Sequence, residues 1–350
     1  RWLPEWNGRR FFLPSEPNMP STRNAIQNTL SRAPFHKRWW INDPDCLLVR
    51  PDSDLTLAEV QSMATAIALT GGSMLLSDDV PNLPPERVRI VQQLLPLIGQ
   101  SGRVIDWFDA SAPRLVRLDL ENATGQWHLL AIFNWDDKPT GEQFLPVDRF
   151  DLPEGDYFAR EFWSGNVNRV DRGLLTLRGI PAHGVSLFAL TPCPSPSGSS
   201  STLTPNPSPS GSSSHLASDS LITNSSPSGS SSTLTPNPSP SGSSSHLASD
   251  SLTPNPSPGG RGGLYLGSDL HISQGLEVIR WTATHNEVDF ILERRGDVRG
   301  QVDLHLVSPP SEILIQQKSV SWDKIGSNIY RIEVNCNNRA HVQIKTRSRP

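Results

Sequence analysis

Apolar residues recur at helical spacing through the first hundred positions and at every second position over most of the rest, with one long stretch that follows neither rule. Ser21 can cap a helix carrying Ala25, Ile26, Thr29, Leu30 and Ala33, which Pro34 ends. Thr56 and Glu59 form a capping box, and Val60, Met63, Ala64, Ile67 and Ala68 then share a face until Gly71 and Gly72 stop the helix. Pro84 and Pro85 open a third helix through Val88, Val91, Leu94, Leu95 and Ile98, with Pro85 at the first helical position. Between these, Lys37–Ile41 and Ser73–Leu76 read as strands, the second one buried. The alternation predicts the end of an α/β domain over 1–102.

Period-2 runs take over from 103 to about 190: Leu115–Leu120, His128–Trp135, Tyr157–Trp163, Leu174–Leu177 and Val185–Leu190, separated by Gly, Pro, Asn and Asp. That pattern predicts an antiparallel β-sandwich. Comparable runs resume at Leu264–Ile272, Leu276–Thr282, Val288–Arg294, Gln301–Val307 and Tyr330–Asn335, predicting a further β-sandwich segment over 264–350. The intervening tract, 191–263, is rich in Ser, Pro and Gly, and Ser195–Leu221 is identical to Ser226–Leu252. Such a tract buries too little apolar surface to offset its ordering entropy, so it is expected to be a disordered insert that expanded by duplication.

Charge changes the picture by exclusion. With 31 Lys and Arg against 35 Asp and Glu, a net −4, the chain has no polybasic character for nucleic acid or a membrane surface. Cys46, Cys193 and Cys336 are few and far apart, which argues against a disulfide scaffold and for a reducing, cytoplasmic setting. No apolar run approaches the roughly 18–20 residues of a membrane span. The chain starts at Arg1 without a leader pattern, so processing or loss of an N-terminal part is expected.

The densest polar cluster on an apolar frame is Trp39-Trp40-Ile41-Asn42-Asp43-Pro44-Asp45-Cys46. If Lys37–Ile41 and Ser73–Leu76 are parallel strands, Asp43/Asp45 and Asp78/Asp79 follow their carboxyl ends and stand on one rim, where α/β barrels bind substrate. The alternative is that each acid pair caps its own turn. An EF-hand reading fails because Leu47 and Leu48 occupy positions where that loop needs a ligand and a glycine. No zinc spacing, nucleophile elbow or phosphate loop occurs, so no metal or cofactor is expected.

Ser21-Thr22-Arg23-Asn24-Ala25, then Trp39 through Leu48, then Leu69-Thr70-Gly71-Gly72-Ser73-Met74-Leu75-Leu76-Ser77-Asp78-Asp79, resemble the α-galactosidase (melibiase) glycoside hydrolases, closest to family 36 and related to family 27. The resemblance covers Arg1 to about Leu190 and is loose past Gly263. It implies the last two βα units of a TIM (β/α)8 barrel, with Lys37–Ile41 and Ser73–Leu76 as strands seven and eight, then a C-terminal antiparallel β-sandwich. It also implies a galactoside oligosaccharide substrate, substrate-binding roles for Asp45 and Cys46, and supporting roles for Trp40, Asn42, Asp43, Asp78 and Asp79. The family's Asp nucleophile and Asp acid/base follow strands four and six. On this template both lie upstream of Arg1, so the chain alone is expected to be inactive, with the N-terminal half or a second copy as its macromolecular partner. Two alternatives stand beside this one. The first is a non-enzymatic carbohydrate-binding or interaction module using Trp107, Trp135 or Trp163, residues that could equally be core. The second is a raffinose-synthase-like transglycosylase.

Overall fold

The computed structural model describes residues 5–7, 21–109, 111–194 and 262–347, which pack as one unit. The expected disordered insert lies, but for its two ends, outside the described residues. Helix ends fall where the caps place them. In α1 (Thr22–Arg32) the Ser21 hydroxyl accepts the Asn24 N–H at 3.2 Å, and Ile26 and Leu30 face inward before a 3-10 turn at Ala33–Phe35. In α2 (Leu57–Leu69) both halves of the capping box form: Glu59 accepts from the Thr56 N–H at 2.7 Å, and Thr56 from the Glu59 N–H at 3.3 Å. Gly71, at φ 68°, carries the chain out of this helix through the left-handed region that glycine enters freely. Pro85 starts α3 (Pro85–Leu94), which stops short of Leu95 and Ile98.

The strands of this segment differ from expectation. Lys37–Ile41 is a turn with Lys37 at φ 58°, and the strand is β1 (Cys46–Leu47), parallel to β2 (Leu75–Leu76) through two residue pairs. Asn42–Asp45 therefore precede β1, whereas Asp78 and Asp79 follow β2, so the two acid pairs flank opposite ends of the ladder and share no rim. Nor is the second strand buried: Leu75 is 54% exposed.

Next comes a six-stranded sheet, β3 (Arg103–Val104), β4 (Leu115–Asn122), β5 (Gly125–Phe133), β7 (Tyr157–Glu161), β8 (Val167–Val170) and β10 (Val185–Pro192), in the order β3-β4-β5-β10-β7-β8 with every pairing antiparallel. A smaller pair, β6 (Gln143–Pro146) with β9 (Leu174–Leu177), is also antiparallel. Strands β5 and β10 are buried on both faces. Leu129, Ala131, Phe133, Leu187 and Ala189 join the core containing α2, while Leu130, Ile132, Phe188 and Leu190 pack with Phe150, Leu175 and Leu177 on the side of β9. A helix layer on one face and a two-stranded layer on the other explain why these strands read as continuous apolar runs.

The C-terminal segment forms a seven-stranded antiparallel sheet: β11 (Gly263–Ser268), β12 (Val278–Ala283), β13 (Glu287–Leu306), β14 (Pro310–Ile315), β15 (Lys318–Ser319), β16 (Trp322–Gly326) and β17 (Ile329–Thr346). The expected strands Val288–Arg294 and Gln301–Val307 are one strand with a register shift between Glu293 and Asp297, beside Gly296 at φ 81°. The bulge lets the sheet fold on itself. Tyr265, on a strand paired with the second half of β13, meets Phe290 of the first half edge-on at 6.1 Å, and residues of both halves share one buried cluster. Sequence periodicity missed β14, β15 and β16. The two large sheets are joined by buried Asp303, which accepts from Arg160 at 2.7 Å and Arg331 at 2.6 Å.

Candidate functional site

The loop between α1 and β1 is held by one side chain. Asn42 is buried; its carbonyl Oδ1 accepts the Trp40 indole N–H at 3.0 Å, and its amide donates to the carbonyls of Ala33 at 3.2 Å and Thr70 at 3.1 Å. Its backbone N–H donates to His36 Nδ1 at 3.1 Å and its carbonyl accepts from Ser73 at 2.9 Å. Every polar group of the residue is thus used, tying the end of α1 to the end of α2. Gly72 is required there, because a Cβ would stand 1.8 Å from the Asn42 carbonyl oxygen. His36 accepts at Nδ1, so its proton sits on Nε2. Burial first, and then the Lys37 ammonium, hold this imidazole below its ordinary pKa.

Past that bolt the acids turn outward. Asp43 accepts the Asp45 N–H at 3.2 Å and Asp45 the Cys46 N–H at 2.8 Å, with Asp45 at φ 71°. Both carboxylates are exposed, and Cys46 is half-buried with a free thiol. Asp78 is committed elsewhere: its side chain is fully buried, accepting the Val49 N–H at 2.6 Å and Arg50 at 3.2 Å. Asp79 accepts from the Asn82 amide at 2.7 Å. The turn-capping alternative describes Asp43, Asp45 and Asp79, and Asp78 instead ties β2 to the chain after β1.

Two hollows adjoin beneath α1. One, of about 440 Å³, is lined by Asp45 and Cys46 together with Ser21, Arg50, Met63 and Ser77. The other, of about 250 Å³, is lined by Trp40, Asn42, Asp43 and Asp45 with Arg32 and Asn28. The structure thus brings together Trp40, Asn42, Asp43, Asp45 and Cys46, and leaves Asp78 and Asp79 outside both hollows. Sequence reasoning missed Arg32, His36 and Arg50. The basic residue in the last turn of α1 was the available signal for Arg32, whereas His36 and Arg50 carry none without their partners.

The arrangement offers carboxylates, an indole and a guanidinium around an open, polar-rimmed space, suited to hydrogen bonding a polyhydroxylated ligand. Among the described residues no group of three or more His, Cys, Asp or Glu side chains is placed to hold a metal ion. No described helix is long and apolar enough to cross a membrane. Of the three indoles read as binding candidates, Trp135 is buried against Trp6 and Phe133, and Trp107 packs with Phe35 and exposed Phe108.

No family model matches the sequence. Solved structures similar to part of the chain are α-galactosidases and related glycosidases. An α-galactosidase from Mortierella vinacea is 19% identical over 49% of this chain and 44% of its own, with a TM-score of 0.41. A family 27 β-L-arabinopyranosidase from Geobacillus stearothermophilus is 14% identical over 49% and 42%, at 0.38. An α-galactosidase from Saccharomyces cerevisiae is 13% identical over 54% and 57%, at 0.38. The chain spans less than half the length of the first two.

Proposed function

We propose that the chain is the C-terminal portion of a retaining glycoside hydrolase of α-galactosidase type, acting on terminal α-galactosides. In this reading 1–102 supplies the last two βα units of a barrel, 103–190 and 264–350 the β-sandwich layers behind it, and 191–263 a dispensable insert. The observation that carries the reading is the β1-α2-β2 unit: two parallel two-residue strands joined through a helix, with no other strand on either edge among the described residues. Such strands belong inside a larger parallel sheet, since their outer N–H and C=O groups otherwise lack partners. The loop at Asp43–Cys46 would then line the sugar pocket, with Asp45 hydrogen bonding hydroxyls, Cys46 filling the wall, and Trp40 and Asn42 holding the loop in place.

Catalysis on this reading comes from two carboxylates on other barrel strands. Retaining chemistry needs two carboxyl groups about 5–5.5 Å apart, one as nucleophile and one as acid/base. The local acids are poorly placed for that work, because Asp78 is buried against Val49 and Arg50, and Asp43 and Asp45 cap their own turn. The 350-residue chain alone should therefore leave a nitrophenyl α-galactoside unhydrolysed, and supplying the preceding barrel strands of such an enzyme in trans should generate turnover. Turnover by the lone chain that Asp45→Asn or Asp43→Asn abolishes would overturn the reading and make the loop acids catalytic.

A further inference from the structure

A separate cavity of about 370 Å³ opens where the β9–β10 loop meets the β7–β8 turn and α2, within the roughly 300–1,000 Å³ range of small-ligand sites. Its aromatic wall is Trp163. The indole is held in place by a hydrogen bond from its Nε1 to the Thr65 hydroxyl at 3.2 Å and by the edge of Phe162 at 4.9 Å, and it remains partly exposed. Glu161, at the base, has both oxygens occupied by backbone donors, Leu187 N–H at 3.1 Å and Ser164 N–H at 2.6 Å, so it shapes the turn. Ser164 and Asn166 are hydrogen bonded to each other at 2.9 Å, whereas Gln61, Asn168 and Arg178 also line the cavity and their side chains make no hydrogen bond among the described residues.

That lining selects a ligand. An amide presents a donor and an acceptor side by side, the pattern that two neighbouring hydroxyls complement, and a guanidinium donates a fork to a single oxygen or a pair. A fixed indole offers an apolar face to C–H groups. The lining's one cation, Arg178, and its one carboxylate, Glu161, leave it without net formal charge, so neither a phosphate nor an ammonium is favoured over a neutral ligand. We propose that this cavity binds a neutral pyranose unit of an oligosaccharide, as a site distinct from the Asp43–Cys46 loop. The inference stands on the cavity alone and holds whether or not the loop serves catalysis.

Calorimetric titration of the full chain with raffinose tests it. Saturable binding is expected with Kd on the order of 1 mM, the range a single sugar unit in an open cavity reaches. Asn168→Ala and Arg178→Ala, which remove no hydrogen bond made among the described residues, should each weaken binding about tenfold, the loss of one hydrogen bond to ligand. Trp163→Ala should weaken it further, and Trp163→Phe should restore part of the loss, which separates the stacking role from the Thr65 bond. Lys318→Ala, exposed on β15 and outside the cavity lining, should leave binding unchanged. No saturable heat, or a Kd indifferent to Asn168→Ala and Arg178→Ala, would overturn the proposal. Binding lost in Asp45→Asn but kept in Arg178→Ala would also overturn it, while supporting the sugar role of the loop. Preference for glucuronate over raffinose would overturn the neutral-ligand assignment.

Discussion

The α/β segment and the C-terminal sheet are built on opposite terms. In the first, two strands share two residue pairs, and Trp39, Trp40, Ile41, Leu75 and Val80 are exposed. In the second, β13 and β17 share sixteen pairs, and Val288, Phe290, Leu292, Val302, Leu304, Val342 and Ile344 are wholly buried. The sheet is complete in itself, since its bulge folds one half over the other. The α/β segment depends on single side chains, Asn42 above all, and on α2, which buries one side against the six-stranded sheet through Ser62 to the His183 carbonyl at 2.7 Å. A segment with short ladders and open apolar surface is suited to joining something larger, and one with closed pairing is suited to bracing it.

The sharpest way to break this contrast is hydrogen exchange. Amides of Cys46, Leu47, Leu75 and Leu76 should exchange roughly a thousandfold faster than those of Val302–His305, because local opening needs far less free energy than global unfolding. Equal protection would mean that the α/β segment is as self-sufficient as the sheet, and the proposed barrel origin would fall. Next in size is Asp303→Asn. This removes the one carboxylate between two guanidiniums, Arg160 being buried, and should cost about 3–5 kcal/mol, read as a lowered urea midpoint. A loss under ~1 kcal/mol would show that the sheet junction is not closed against water.

A second junction, where the chain after α3 meets the C-terminal segment, carries a pH signature. His271 donates from Nε2 to the Pro96 carbonyl at 2.8 Å, and burial, then the Arg294 charge, hold its pKa down at about 4. The unfolded chain takes up this proton near pH 6.5, while the folded one resists until about 4. Stability should therefore fall as pH drops through that window, by up to about 3 kcal/mol, and this contribution should level off below it. His271→Gln should flatten that part of the stability profile, and an unchanged slope would remove His271 from the junction's account. The smallest effect concerns the α/β segment itself. Asn42→Ala takes the side-chain partner from the Thr70 carbonyl and the Trp40 indole N–H, while the Ala33 carbonyl keeps the His36 N–H and the Ser101 hydroxyl, and should cost about 2 kcal/mol. In exchange measurements the cost should fall on 33–76 and spare β13, and a uniform loss would show that the two regions unfold together.

What the amino-acid order alone determined lies within four or five residues of each position. Ser21, Thr56 with Glu59, Gly71 and Pro85 set helix ends because a cap needs only its own first or last turn. The apolar runs Leu115–Leu120 and Val185–Leu190 likewise placed most of the six-stranded sheet, since burial is repeated along the strand itself. The chain also marked Asn42, Asp43, Asp45 and Cys46 as the densest polar cluster. Tertiary structure decided the rest. Lys37–Ile41 has strand-like residues, yet Cys46–Leu47 forms the ladder, because a two-residue parallel strand exists only where Leu75–Leu76 arrive to pair with it. Asp78 looked like a rim carboxylate until Val49 and Arg50, almost thirty residues away, claimed both its oxygens. The Gln61–Trp163–Arg178 cavity brings together residues from α2, a hairpin turn and a loop, and no local pattern records such a meeting. Pairing and burial depend on what stands opposite, which a position's neighbours along the chain do not specify.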